Sequence, residues 1–174
     1  MQIRLRDKEG EPVLGTNMHV LRGHARVDFV KANYRKGAAF DVGCGEGGFA
    51  ILLRNLGCTV TALDILATPN LPPEITFHQA SAYDIDDVEA FDTILLMEII
   101  EHLDNPFEVV TRCYRALKPG GVILITTPHV DTWDYVRDHV WRFGPLGVEH
   151  LLKDYNPRVW TDDIFVYAVV EKPL

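Results

Sequence analysis

From Ala38 onward, short apolar runs alternate with stretches of helical period. Ala38–Val42 reads as a strand entering a glycine-rich turn, 47–56 as a helix stopped by Gly57, and 58–63 as a second strand closed by Asp64. A third strand is predicted at 75–79. Phe91–Met97 is a fourth, nearly continuous in apolar residues, as expected of a strand covered on both faces. Residues 106–117 place Val109, Val110, Cys113 and Leu117 on one helical face, and Pro119-Gly120-Gly121 turns the chain into a strand at 122–126. The rhythm then breaks: Val159-Trp160-Thr161, the turn Asp162-Asp163 and an apolar run at 164–170 predict an antiparallel hairpin with no helix between. Strands alternating with helices make βαβ units. The pattern therefore predicts an α/β fold: a mostly parallel sheet with helices on both faces, closed by a C-terminal β-hairpin. Upstream, 3–14 is a short hairpin or an arm. From Asn17, apolar residues recur at steps of three and four, and Arg35, Lys36 and Gly37 mark a helix end.

Length and charge narrow this picture. At 174 residues, 47% of them hydrophobic, the chain predicts one domain over 1–174, with an arm and helix at 1–37 and the α/β core at 38–174. Cys44, Cys58 and Cys113 form no CxxC pair and read as reduced thiols; with no long apolar run, the expectation is a cytoplasmic protein away from membranes. The net charge of −8 is uneven: residues 1–40 carry eight Lys/Arg against four Asp/Glu, and 41–174 carry nine against 21. An acidic core argues against nucleic acid as a partner. Arg22, Arg26 and Lys31 in the basic part are a solvated face or draw in an acidic partner.

Asp41-Val-Gly-Cys-Gly-Glu-Gly-Gly48 sits between a strand and a helix, where glycines let backbone approach a ligand closely beside a helix N-terminus. Gly43, Gly45 and Gly48 also satisfy GxGxxG, the dinucleotide fingerprint. Two acids decide between ligands. Asp41 precedes the turn, where a carboxylate repels a pyrophosphate and attracts an α-ammonium group. Asp64, 23 residues on, ends the next strand, where it can accept ribose hydroxyls. Adenosine with an amino-acid tail and no phosphate is S-adenosylmethionine. Asp41 could instead simply cap the following helix, and Asp64 could be a turn residue.

The turn at 41–47, Leu63-Asp64, Phe91-Asp-Thr-Ile-Leu-Leu-Met-Glu-Ile-Ile-Glu-His-Leu103 and Leu117-Lys-Pro-Gly-Gly-Val-Ile-Leu-Ile-Thr126 occur in order. Together they resemble the class I S-adenosylmethionine-dependent methyltransferases, in particular small members with an E-x-x-E-H-L segment after the fourth strand. Asp138-His-Val-Trp-Arg-Phe143 followed by Leu151-Leu152 is similar to that group's element after the fifth strand. The resemblance implies a Rossmann-like seven-stranded sheet, a methyl group moved to an O or N acceptor on a small molecule, and S-adenosyl-L-homocysteine as product. It implies that Gly43, Cys44 and Gly45 line the methionine tail with Asp41 near its ammonium, that Asp64 holds the ribose, and that Ile65 packs on adenine. Met97 and Glu98 would lie near the sulfonium. After the third strand the family often has an acid and a small residue at the adenine edge; here Ser81-Ala82 stand there and the acid is missing. The family's N-terminal helix usually packs near the active-site mouth. With no inserted cap, the pocket is shallow or is completed by a homodimer mate or partner subunit.

His102 suits a general base, since imidazole titrates near pH 6.5 or so; the other reading is local hydrogen bonding that orders the loop. His129 is a second candidate for the base. Glu98, Glu101 and His102 fall at i, i+3 and i+4, one face if helical. Small-RNA 3′-end methyltransferases hold a divalent ion with this segment and a further His, a place comparable to His139. The segment is also common in methyltransferases without a metal, and no metal is expected here. His19, His24, His78 and His150 lack a motif. Trp133, Tyr135, Trp141 and Phe143 wall a pocket or, as is commoner, pack the core. Two rivals remain: a non-catalytic cofactor-binding or partner-regulating domain, and an NAD-type oxidoreductase, for which 128–174 leaves too few residues for a substrate domain.

Overall fold

A computed structural model describes residues 16–66, 71–130 and 139–174, and within 16–23 the backbone alone. The arm or hairpin predicted at 3–14, residues 67–70, Trp133 and Tyr135 fall outside the described residues, as do the side chains of His19 and Arg22. The chain separates into two compact units, Met1–Ala32 and Asn33–Leu174. Helix α1 spans Thr16–Asn33. It ends before the predicted Arg35-Lys36 turn because those residues join the second unit. The Arg35 N–H donates to Thr93 Oγ1 at 2.7 Å, and that hydroxyl donates back to the Arg35 carbonyl at 2.8 Å. Gly37 then takes φ +148°, and a Cβ there would collide with the Asp92 carboxylate, which accepts from the Ala38 N–H and from Lys118 Nζ, each at 2.8 Å.

The second unit is built on one seven-stranded sheet. Its strands are β1 (Ala38–Val42), β2 (Thr59–Asp64), β3 (Thr76–Gln79), β4 (Phe91–Met97), β5 (Leu117–Pro128), β6 (Arg158–Thr161) and β7 (Phe165–Glu171), in the order β3-β2-β1-β4-β5-β7-β6. The pairs from β3 through β5 are parallel, and β7 lies antiparallel to both β5 and β6. This is the Rossmann-like seven-stranded arrangement that the resemblance implies, with the predicted C-terminal hairpin. Helices α2 (Gly48–Asn55), α3 (Pro106–Ala116) and α4 (Pro145–Leu151) complete it.

The period-2 alternation of the strands sorts the core. Phe40, Val42, Ile94, Leu96, Ile123 and Ile125 point to the face shared with Val109, Val110 and Cys113 of α3 and with Val148 and Leu151 of α4. The intervening positions of β1 face the other way, where Asp41 meets the Ala50 N–H of α2. Each fully buried side chain of Leu or Ile size contributes about 1.5–3 kcal/mol. α3 is started by the Asn105 side chain, which accepts the Glu108 N–H, with Pro106 following at the position where a missing N–H costs nothing.

One predicted turn is not a turn. Pro119-Gly120-Gly121 lies inside β5, with Gly120 at φ +77° and the β4–β5 register shifting between Phe91 and Thr93. The Gly120 N–H donates to Lys172 and the Lys172 N–H to Gly121, so the ladder with the C-terminal segment carries the strand through the glycines as a bulge.

Candidate functional site

Strand order reverses between β1 and β4, and in a sheet of this kind the crevice lies at the carboxyl ends of those strands. The turn at 43–47 is there. The Gly43 and Cys44 N–H groups both donate to the Leu63 carbonyl, at 2.8 and 3.0 Å, which pins the turn to the end of β2. Gly43, Gly45 and Gly47 all adopt positive φ, which favours glycine. Their surroundings differ. A Cβ on Gly43 would strike the Ile99 side chain and one on Gly47 would strike Leu71, so these two admit close packing. A Cβ on Gly45 would meet no described atom within 4 Å. The open face of the turn is at Gly45.

Asp64 borders that opening. Its Oδ2 accepts the Gly45 N–H and its Oδ1 the Leu66 N–H, each at 2.8 Å, tying the glycine turn to the residues after β2. Ile65, beside it, is 67% exposed. Asp41, by contrast, is buried. It sits inside the sheet, 2% exposed, and takes the Ala50 N–H in the first turn of α2. Its Oδ2 has no hydrogen-bond partner among the described residues. Burial, partly offset by the Ala50 N–H and reinforced by the Asp64 charge, pushes its pKa up to about 7.

After β3, Ser81 begins a 3₁₀ turn, Ala82–Asp84: its Oγ accepts the Tyr83 N–H while Asp84 Oδ2 accepts the Ser81 N–H. The Ser81 oxygen is thus committed to its own turn, and Ala82 is buried. The acid missing directly after the strand is present three residues later as Asp84, folded back onto Ser81. The sequence signal for it, S-x-x-D, is the capping-box pattern.

At the end of β4, Met97 is buried and accepts a long contact from Thr126 Oγ1 at 4.0 Å. Glu98 follows at φ +58°, a left-handed position uncommon for a residue with a Cβ, and its N–H donates to Thr126 at 2.9 Å. Glu98, Glu101 and His102 therefore do not share one helical face: only Ile100–His102 forms a single 3₁₀ turn. Glu101 is 1% exposed and its Oε2 accepts from Thr127 Oγ1 at 3.0 Å, whereas His102 is exposed. The histidine beside His102 is His139, with ring centroids 4.8 Å apart and planes at 79°. Glu101, His102 and His139 each offer one ligand atom, all within 4.8 Å of one another, a set that fits a divalent ion. His129 stands at the end of β5, half-buried, its N–H on the Ile164 carbonyl. His24, His78 and His150 are exposed. Phe143 packs in the core, and Trp141 is 37% exposed. All three cysteines are buried thiols, and Cys113, away from water, is pushed up to about 12.

The sequence profile of a family described as "Methyltransferase domain" matches residues 20–161. The chain belongs to this methyltransferase family. A curated relative, the ubiquinone biosynthesis O-methyltransferase of Pseudomonas syringae pathovar tomato, is 28% identical over 140 residues, covering 73% of this chain and 58% of that protein. This methyltransferase-family chain spans less than two thirds of the length of such relatives. Among solved structures, a SAM-dependent methyltransferase from Archaeoglobus fulgidus superposes with a TM-score of 0.74 at 15% identity, covering 88% of this chain and 94% of that one. The 1,6-didemethyltoxoflavin-N1-methyltransferase of Burkholderia thailandensis, solved with 1,6-didemethyltoxoflavin and S-adenosylhomocysteine, gives 0.69 at 16% identity over 92% of this chain and 78% of that one. No helix among the described residues is long and apolar enough to cross a membrane.

Proposed function

We propose that this chain binds S-adenosyl-L-methionine at the carboxyl ends of β1, β2 and β4 and moves its methyl group to an O or N atom of a small-molecule acceptor. The observation that carries the proposal is the glycine turn open at Gly45 and flanked by two carboxylates, Asp64 at its rim and Asp41 beneath it. The relatives' printed chemistry, O-methylation and N1-methylation of small molecules, supports the acceptor class.

When bound, the cofactor supplies an electrophilic methyl on a cationic sulfur and leaves as a neutral thioether. The chain's part is to bind and align. Backbone of Gly43, Cys44 and Gly45 receives the amino-acid tail, and Asp41 answers its ammonium. Asp64 accepts the ribose hydroxyls without giving up its backbone donors, since each carboxylate oxygen has a second lone pair. Ile65 offers an apolar shelf for adenine, and the Ser81-Ala82 turn flanks its edge. Met97 and Glu98, at the end of β4, would border the methyl-donating end of the cofactor. His102, or His129 across the end of β5, takes the proton that an acceptor hydroxyl or amine must lose. Alignment in a dry site supplies up to roughly 7–11 kcal/mol of the barrier in favourable cases, and a base adds about 10²–10⁴-fold.

Titration calorimetry tests the cofactor. Asp64→Ala should weaken binding at least tenfold, while His102→Ala should leave it within twofold and lower turnover. Tighter binding of NAD than of S-adenosylmethionine, or an unchanged affinity in Asp64→Ala, sinks the reading. The ligand set Glu101, His102 and His139 favours a second reading of the acceptor side. There the three would hold a divalent cation, whose charge would lower the pKa of an acceptor hydroxyl. Turnover lost on chelation and restored by magnesium, manganese or zinc selects this reading; turnover indifferent to chelation selects a histidine base, and His102→Ala against His129→Ala then tells which.

A further inference from the structure

Between β5 and α4, residues 139–143 cross back over the turn that follows β4. The contact is specific. The Glu101 carbonyl accepts two N–H groups from this segment, Val140 at 2.9 Å and Trp141 at 3.0 Å. The indole Nε1–H of Trp141 then donates to the Leu103 carbonyl at 2.8 Å. These bonds join positions 38 to 40 residues apart in sequence and hold the backbone on both sides of His102. The residue that immediately precedes the clamp is His139, and it is this residue whose ring lies edge-on against His102.

The far end of the segment is anchored separately. Phe143 is buried in the core, bridges to His129, and its carbonyl accepts the Val130 N–H at 2.9 Å. The Trp141 ring stacks on Phe143 at 6.0 Å. Loss of the indole donor alone therefore leaves the segment attached at Phe143 and, through the Val140 and Trp141 backbone N–H groups, at Glu101, but released from Leu103 on the other side of His102.

We infer that Trp141 is a positioning residue: its N–H groups clamp 139–143 onto the turn at 99–103 and thereby fix His139 beside His102 at the acceptor side of the site. The clamp serves whichever task the pair performs, moving a proton or holding a cation. The inference rests on the methyl-transfer reading only for its kinetic consequence.

The test compares wild type with Trp141→Phe, which keeps the stacked ring and removes the indole N–H. One readout needs no acceptor. In histidine-labelled protein, the nuclear Overhauser contact between the His102 and His139 rings should fall at least threefold in Trp141→Phe. In turnover, kcat should drop roughly 10- to 100-fold, the scale of a misplacement of about 1 Å, while cofactor affinity stays within twofold. Adding Trp141→Phe to His139→Gln should cost little beyond His139→Gln alone, since one acts through the other. A wild-type Overhauser contact in Trp141→Phe, or effects of the two substitutions that multiply, overturns the inference. Loss of the contact in a protein whose wild type turns over no acceptor retires the methyl-transfer reading and leaves the clamp standing. Should Trp141→Phe fail to fold, His139→Gln decides: it must lower kcat at least tenfold with cofactor affinity kept, and wild-type turnover overturns the pairing.

Discussion

At Asp41 a carboxyl that ordinarily ionises near pH 3.8 is buried within the sheet, one oxygen on the Ala50 N–H and the other without a described partner. Burial raises its pKa to about 7, so the folded, empty protein holds a proton there between roughly pH 4 and 7 that the unfolded chain has released. The sign follows. Asp41's contribution to stability is fully present below pH 4 and is lost as pH rises through 7. A cationic ligand reverses the preference, because an ammonium beside the carboxyl favours its ionised form. Cofactor affinity should therefore rise with pH below 7, by at most about tenfold per unit for one released proton, and level off there until the α-ammonium itself loses its proton at about pH 8. Asp41→Asn, of the same size and without charge, should bind at least tenfold more weakly at about pH 7.3 and show a flat profile from about pH 5.5 to 7.3, below the titration of the ligand's α-ammonium. Calorimetry across that range checks both. An equal slope in wild type and Asp41→Asn removes the ammonium role. The sequence points to this acid as an anionic partner of a ligand; its burial is not readable locally, because it depends on α2 and the neighbouring strands closing over β1.

Elements with a strong internal period were legible from the chain alone. Phe91–Met97 is a strand with the bounds its apolar run predicts, and the β6–β7 hairpin follows from a turn between two alternating runs. What failed was set by partners distant in sequence. Pro119-Gly120-Gly121 has the composition of a turn, yet pairing with Lys172 draws it into β5. The spacing of Glu98, Glu101 and His102 suits one face of an α-helix, yet the chain leaves β4 through a left-handed Glu98 and a 3₁₀ turn. Glu101 thereby turns inward and His102 outward. Strain of that kind persists where the surroundings over-determine it, and here the Glu98 N–H on Thr126 and the Thr127 hydroxyl on Glu101 do so. His139 was visible only through resemblance, since nothing local sets it opposite His102. Of the three bonds that bring it there, one comes from the Val140 N–H and two from Trp141, whose type suggested core packing.

For the whole molecule, the separation of charge matters more than the total. Residues 41–174, which form nearly all of the seven-stranded unit and its carboxyl-end crevice, carry 21 acids against nine bases. A bound cofactor adds positive charge to that crevice, but not enough to offset an excess of 12 negative charges over the unit. Phosphate backbones depend on Lys and Arg to displace their counterions, and non-specific binding by basic proteins reaches Kd values of about 10⁻⁴–10⁻⁶ M at physiological salt. This chain should bind duplex or single-stranded RNA more weakly than about 10⁻⁴ M under those conditions. Competitor RNA added in excess should leave turnover of a small acceptor within twofold. The basic segment at 1–40 offers the one route to a different result. Fluorescence anisotropy with a labelled 20-nucleotide RNA, run with the cofactor product present, measures it directly. A Kd in the micromolar range that weakens steeply between 50 and 200 mM salt would show that the N-terminal cations recruit a polyanion past the acidic unit, and would move the acceptor from small molecule to nucleic acid.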